Sequence, residues 1–301
     1  MNEDLIKEIK KRYDSEVRSI KEKLRYEREK EKLNEKIKYE EIRAQFFANI
    51  SHEFKTPLNV IFSAQQMIDL LIKNDLKNNE DKINKYVKTI KQNCYRLIRL
   101  IGNLIDITKI DTGVYEFKPK NIDIVRIVKD ITFSVIDYIE DKNISVNFNS
   151  TINRKTIACD PDKIERILLN LISNAIKFTP ECGKIYINVY DSKDSVYISI
   201  KDSGMGIPKD MQKLIFDRFV QVDKTTKRAR EGSGIGLSLV KSLVEMHSGE
   251  IKLISEKDNG SEFIIRLPSK VINTKEIKDE VAVTSQEKVE KINVEFSDIY
   301  F

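Results

Sequence analysis

Apolar residues in the first third of the chain recur every three or four positions. Ile6, Ile9, Tyr13, Val17, Ile20 and Leu24 make one narrow stripe through a segment dense in both charge signs and free of Gly and Pro. The pattern falters after Leu24 and resumes at Leu33 and Ile37, which predicts a two-stranded coiled coil with a phase shift over residues 1–45. Phe47, Ile50, Phe54, Leu58 and Ile61 continue the helical period, and the polar stretch 73–81 reads as a turn. Beyond it, Ile83, Val87, Ile90, Cys94, Leu97, Ile101, Leu104 and Thr108 alternate four and three apart, the most sustained period in the sequence. Two amphipathic helices joined by a short loop form an antiparallel hairpin that cannot cover its own seam. Pairing two hairpins into a four-helix bundle covers it, so a homodimer is expected.

After Asp111-Thr112-Gly113 the texture changes. Short β-type runs at 144–148, 184–190, 195–201, 250–255 and 261–267 are interleaved with helical patterns near 123–139, 161–177 and 234–247. Strands and helices mixed in this way predict an α+β two-layer sandwich over 117–268. The expected organisation is therefore multi-domain: a coiled coil at 1–45, a helical hairpin at 46–112, the sandwich, and a charged tail at 269–301. In that tail Val294, Phe296 and Ile299 fit either a flexible extension or an added strand.

Composition narrows the function classes. Lys+Arg 53 against Asp+Glu 48 leaves +5, too small a surplus for a nucleic-acid binder built on charge. Three scattered cysteines, Cys94, Cys159 and Cys182, contain no C-x-x-C pair, which suits a reducing, cytoplasmic setting. No apolar run approaches the length of about 18 residues that spans a membrane, so no membrane segment is expected in this chain.

Two sites carry candidate chemistry. His52 lies two positions from both Ile50 and Phe54, which turns it roughly 200° from these core positions and toward water. Glu53 is placed to accept an imidazole N–H, Thr56 lies one turn along on the same face, and Pro57 interrupts the backbone hydrogen bonds. The second site begins at Asp160-Pro161, a strong helix start. On that helix Asn170, Asn174 and Lys177 share one face and Leu169, Ile172 and Ile176 another. Amide oxygens suit Mg²⁺ and an ammonium suits phosphate. Asp202-Ser-Gly-Met-Gly206 follows a strand, placing a carboxylate and two glycines, Gly204 and Gly206, at a tight turn. Gly232-Ser-Gly234-Ile-Gly236-Leu237 opens a helix whose N–H groups can hold phosphate oxygens. The charged segment 223–231 between them lacks apolar anchors and is expected to close over a nucleotide, with Phe216 and Phe219 just before it. His247 ends a helix and is expected to be structural.

Residues 46–58, FFANISHEFKTPL, resemble the phosphoacceptor box of two-component sensor histidine kinases, and the Asn, Asp-x-Gly-x-Gly, Phe and Gly-x-Gly-x-Gly blocks are similar, in order, to the nucleotide boxes of the same family. Gly260-Ser261 matches its Gly-Ser/Thr pair, and the resemblance covers about 46–268. It implies a gyrase-type ATP-binding fold, with His52 as phosphoacceptor, Glu53 assisting transfer and Thr56 aligning water for regulator dephosphorylation. It further implies Asn174 and Asn170 as Mg²⁺ ligands, Lys177 on phosphate, Asp202 reading adenine, and Gly232, Gly234, Gly236 and Leu237 around the phosphates of ATP. The implied partners are a second copy and a response-regulator receiver domain. A gyrase-type ATPase would carry a water-activating Glu where this chain has Asn170, and an amide is no general base. An inert coiled-coil scaffold is the remaining alternative.

Overall fold

The computed structural model describes residues 2–74, 79–136, 143–217, 234–273 and 285–299. The chain divides into two units, Met1–His52 and Glu53–Phe301. Helix α1 (Asn2–Asn74) begins in the first and continues through Pro57 into the second without ending. In the first unit Ile9, Tyr13, Ile20, Leu24 and Leu33 are all exposed, so the apolar stripe is uncovered in the single chain.

Helix α2 (Glu80–Asp111) has two contrasting faces. The seam residues Val87, Cys94 and Ile101 are exposed, while Asn93, Arg99, Leu100, Asn103 and Ile107 on another face are buried. No helix among the described residues is long and apolar enough to cross a membrane.

The sandwich is built on a five-stranded sheet. Strands β2 (Ser145–Ser150), β4 (Lys184–Ser192), β5 (Ser195–Asp202), β6 (Glu250–Ser255) and β7 (Ser261–Pro268) lie in the order β2-β4-β5-β7-β6. The β2–β4 pairing is parallel and the other three are antiparallel. Helices α3 (Ile124–Ile136), α4 (Pro161–Phe178) and α5 (Gly236–Met246) form the second layer. Helix α4 starts as its sequence predicts: the Asp160 carboxylate accepts from the Asp162 and Lys163 N–H groups, with Pro161 in the first turn. A separate antiparallel ribbon pairs β1 (Lys120–Asp123) with β3 (Thr156–Cys159). Neither strand was foreseen, because four residues are too few to establish an alternation.

The tail departs from both expectations. Helix α6 (Ser285–Glu295) and the turn after it are folded onto the second unit, with Phe296 0% and Ile299 2% exposed. The spacing of Ile292, Phe296 and Ile299 is helical, four then three, and all three belong to the buried core. Just past β7 the chain also stays on the sandwich: Ala158 N donates to the Lys270 carbonyl, and Asn121 exchanges two bonds with the backbone of Ile272.

His247 is buried where α5 meets β6 and joins two elements. Its Nδ1 lies 2.7 Å from the Leu243 carbonyl, and its Nε2 accepts from Asp160 N at 3.1 Å, so the ring is neutral with the proton on Nδ1. The Phe117 ring meets it edge-on at 4.8 Å. Burial lowers its pKa below the ordinary 6.5, against the hydrogen bonds and Asp160, which act to raise it. The unfolded chain therefore binds this proton first, and the contribution to stability is complete above 6.5 and fades as pH falls below it. The His247→Gln variant is expected to be less stable by roughly 1–3 kcal/mol at neutral pH. In thermal melts from about pH 7.5 down to about pH 5.5, the wild type should lose more stability than this variant; parallel losses would contradict the neutral-ring assignment.

Candidate functional site

Helix α4 carries three of the expected site residues, and Gly204 and Gly236 pack against it. The helix lays Ile164, Ile167, Leu168, Leu171, Ile172 and Ile176 into the core, which leaves Asn170, Asn174 and Lys177 on its other side. Asn174 Nδ2 donates to Asn170 Oδ1 at a long 3.4 Å. Asn170 is only 1% exposed because the start of α5 presses against it: a Cβ on Gly236 would stand 2.7 Å from Asn170 Oδ1. Glycine is thus required at 236 by close approach, and it brings the α5 N-terminus against the amides of α4.

Ile235 occupies its cap position, and among the described residues no side chain caps this N-terminus. The helix dipole favours an anion there. Gly234 adopts φ +64, the left-handed conformation that lets the chain turn into the helix. Gly232, Phe219 and the segment 223–231 lie outside the described residues. Phe216 is partly buried on the core and meets Phe263 edge-on.

The Asp202 turn closes against the other end of α4. Asp202 Oδ1 accepts from Gly204 N at 2.8 Å and from Ser261 N at 3.3 Å, leaving Oδ2 as the oxygen for a ligand donor. Burial raises the Asp202 pKa, opposed by these two N–H bonds. A Cβ on Gly204 would come within 2.6 Å of the Phe178 carbonyl, the last residue of α4. Gly206 has φ +64, and a Cβ there would collide with the Glu256 carbonyl.

Residues without a sequence signal brace this turn. Gln212 Nε2 donates to the carbonyls of Ile207 and Ser255, while Ser255 Oγ donates to the Gly260 carbonyl and accepts from Ile207 N. No spacing rule links 207, 212 and 255, because the contact comes from how β6 ends. Gly260-Ser261, by contrast, was read from sequence, and its N–H reaches Asp202.

Lys177 is 9% exposed, with its Nζ 5.2 Å from the centre of the Phe178 ring. In the same unit Glu53 is half-buried, and its pKa is raised from 4.5 to about 7 by burial first and by Asp298 second, against the pull of Arg96 and Lys177. Thr56 is exposed, and so, in the first unit, is His52, as its helical phase predicted.

The amide oxygens of Asn170 and Asn174 form a hard donor set, and the space that only glycine leaves at 236 adjoins it, so these residues fit a magnesium ion and the phosphates it accompanies. Gly236→Ala should leave the sandwich folded, because the added methyl meets a side-chain amide that can shift, but it should weaken binding of an adenine nucleotide at least tenfold, about 1.4 kcal/mol. Calorimetric titration against the wild type checks this, and equal affinities would show that the close approach is only packing.

Two families match the chain: "His Kinase A (phospho-acceptor) domain" over residues 42–113, and "Histidine kinase-, DNA gyrase B-, and HSP90-like ATPase" over residues 159–271. Histidine kinase P4 of Formosa agariphila is 34% identical over 251 residues, covering 80% of this chain and 18% of that protein. Sensor histidine kinase WalK of Bacillus subtilis is 33% identical over 230 residues, covering 76% of this chain and 37% of that protein. The chain thus spans well under half the length of these relatives. Among solved structures, histidine kinase ThkA in complex with response regulator TrrA shares the fold, with a TM-score of 0.57 at 23% identity over 75% of this chain and 61% of that one. With a phosphoacceptor domain followed by a kinase-type ATPase domain, and with relatives of the same name across both, the chain belongs to the two-component sensor histidine kinases.

Proposed function

We propose that the chain phosphorylates His52 from ATP and passes the phosphoryl group to an aspartate of a response-regulator receiver domain. The observation that carries this reading is the construction of the α4 site, where the Asn170 amide, bonded to Asn174, meets the N-terminus of α5 and position 170 holds no carboxylate. A site of this kind can bind a nucleoside triphosphate but has no base there to activate water, so the nucleophile must arrive from elsewhere. His52, exposed and set in its His-Glu-x-x-Thr frame, is that nucleophile.

In this mechanism a ring nitrogen of His52 attacks the γ-phosphorus, a P–N bond forms, and the bond to the bridging oxygen breaks to release ADP. Asp202 Oδ2 accepts the exocyclic amine of adenine. The N–H groups of Gly236 and Leu237, with Gly234 and Gly232 before them, hold phosphate oxygens, and Lys177 offsets their charge. Asn174, with Asn170 beside it, would hold a magnesium ion, which supplies charge neutralisation at the phosphates when bound. Glu53 takes up the imidazole proton and fixes the ring tautomer. Thr56 positions water when the phosphorylated regulator is hydrolysed. The uncovered apolar residues of α1 and α2, among them Leu58, Phe62, Val87 and Ile101, form the face on which two copies pair.

With radiolabelled γ-phosphate the wild type should retain acid-labile label, whereas His52→Gln should retain none and bind ATP with unchanged affinity. Release of free phosphate without retained label would favour an ATPase, and neither product a scaffold. Because the Glu53 pKa is raised to about 7, its carboxylate form gives way to the acid as pH falls through 7. The labelling rate should therefore climb as pH rises through about 7, and Glu53→Gln should flatten that limb at a lower rate. An unchanged profile in the variant would remove the proton-accepting role.

A further inference from the structure

The docked tail carries no residue that the mechanism above places on nucleotide or acceptor, yet it bridges α2 and α4, the helix that bears Asn170, Asn174 and Lys177. On α2 it is held by polar and charged groups. Gln92 Nε2 donates to the carbonyls of Ser297 and Ile299, at 3.3 and 3.2 Å. Arg96 Nε pairs with Asp298 Oδ1 at 2.9 Å. Arg99 reaches both Glu295 Oε2 at 3.0 Å, through Nε, and Asp298 Oδ2 at 2.8 Å, through an Nη. On α4 the Ser173 hydroxyl donates to the Glu295 carbonyl at 3.2 Å, and Lys291 pairs with Glu165 at 2.6 Å. Ile292, Phe296 and Ile299 add buried apolar contact.

Helix α4 carries Asn170, Asn174 and Lys177, so α4 cannot move along or away from the 92–99 stretch of α2 while these bonds persist. The tail also sets two carboxylates at the same level of α2. Asp298 is the charged group that most raises the Glu53 pKa, opposed by Arg96 on α2 and Lys177 on α4. Glu53 adjoins His52 in the chain, and a phosphoryl group bound for that histidine brings negative charge toward the same carboxylates. A cavity of about 690 Å³ opens beside the attachment, lined by Asp106, Lys163, Arg166, Glu290 and Lys291 among others. The Lys291–Glu165 pair at its rim is partly open to water and separates readily, whereas the Arg99 pairs are buried and hold the register of the strap.

Resting on the kinase reading, we propose that residues 285–299 are an autoinhibitory strap, tying the nucleotide-binding helix α4 to α2 through the Arg96–Arg99 cluster and slowing phosphorylation of His52 until it is released from α2.

The test uses the full chain and reads the initial rate of label incorporation, with nucleotide affinity measured alongside. Phe296→Ala combined with Ile299→Ala should release the strap and raise the rate at least threefold at unchanged ATP affinity, an increase that mere loss of structure would not produce. A second chain carries Gln92→Cys and Ile299→Cys together with Cys94→Ser and Cys182→Ser. Oxidised, it should label at least threefold more slowly than when reduced. Equal rates for released, locked and wild-type chains, or a faster locked chain, would overturn the strap while leaving the kinase intact. No label in any chain overturns the kinase reading and the strap with it.

Discussion

The seating of α4 on the sheet is the constraint to which the second unit answers. Ile164, Ile167, Leu168, Leu171, Ile172 and Ile176 are all essentially inaccessible. Each is worth about 1.5–3 kcal/mol when removed from water, so turning the helix by one residue would forfeit several such contributions. The rotation of α4 is thereby fixed, and with it the direction of Asn170, Asn174 and Lys177. Two glycines then bring the remaining parts to the helix: Gly236 admits the α5 N-terminus against Asn170, and Gly204 admits the Asp202 turn against the Phe178 carbonyl. Binding chemistry and hydrophobic burial are thus two sides of one helix.

The face of α2 that meets this unit follows another principle. Arg99 is a guanidinium removed from water; burial works against its charge, and Glu295 and Asp298 more than restore it, so its pKa lies above the ordinary value. A cluster of this kind contributes less adhesion than leucines of equal volume would, because desolvation consumes much of the Coulombic gain. What it supplies is register, since forked guanidiniums donate to carboxylates in few geometries, and a contact that charge can undo. An apolar joint at the same place would hold regardless of salt or partner.

These differences explain what could be read from sequence. The phosphoacceptor helix, the Asn face of α4, the Asp202 turn and the five main strands were legible because each is a local pattern of period, cap or glycine spacing. The tail was not: Val294, Phe296 and Ile299 left a flexible extension and an added strand equally open, and the helical set Ile292, Phe296 and Ile299 emerges only once Ile292 is included. The paired arginines of α2 carry no local signal, because their partners lie some two hundred residues along the chain. Gln212 and Ser255 escaped for the same reason: the hydrogen bonds that give them meaning are tertiary.

The identity of residue 170 ties the proposed chemistry to burial. At 1% exposure and packed against Gly236, a carboxylate there would need a counter-charge or a proton, whereas an amide needs only hydrogen-bond partners such as Asn174. In the proposed site asparagine therefore keeps position 170 tight against Gly236 and, as an amide, without a base there. Glu53 is half-buried and raised to about 7, and it adjoins the proposed acceptor in the chain. In the proposed reaction the proton is thus handled on the helix that receives the phosphoryl group. In that reaction a nucleotide held on α4 without the acceptor helix finds no base at position 170, which slows its hydrolysis until the acceptor arrives.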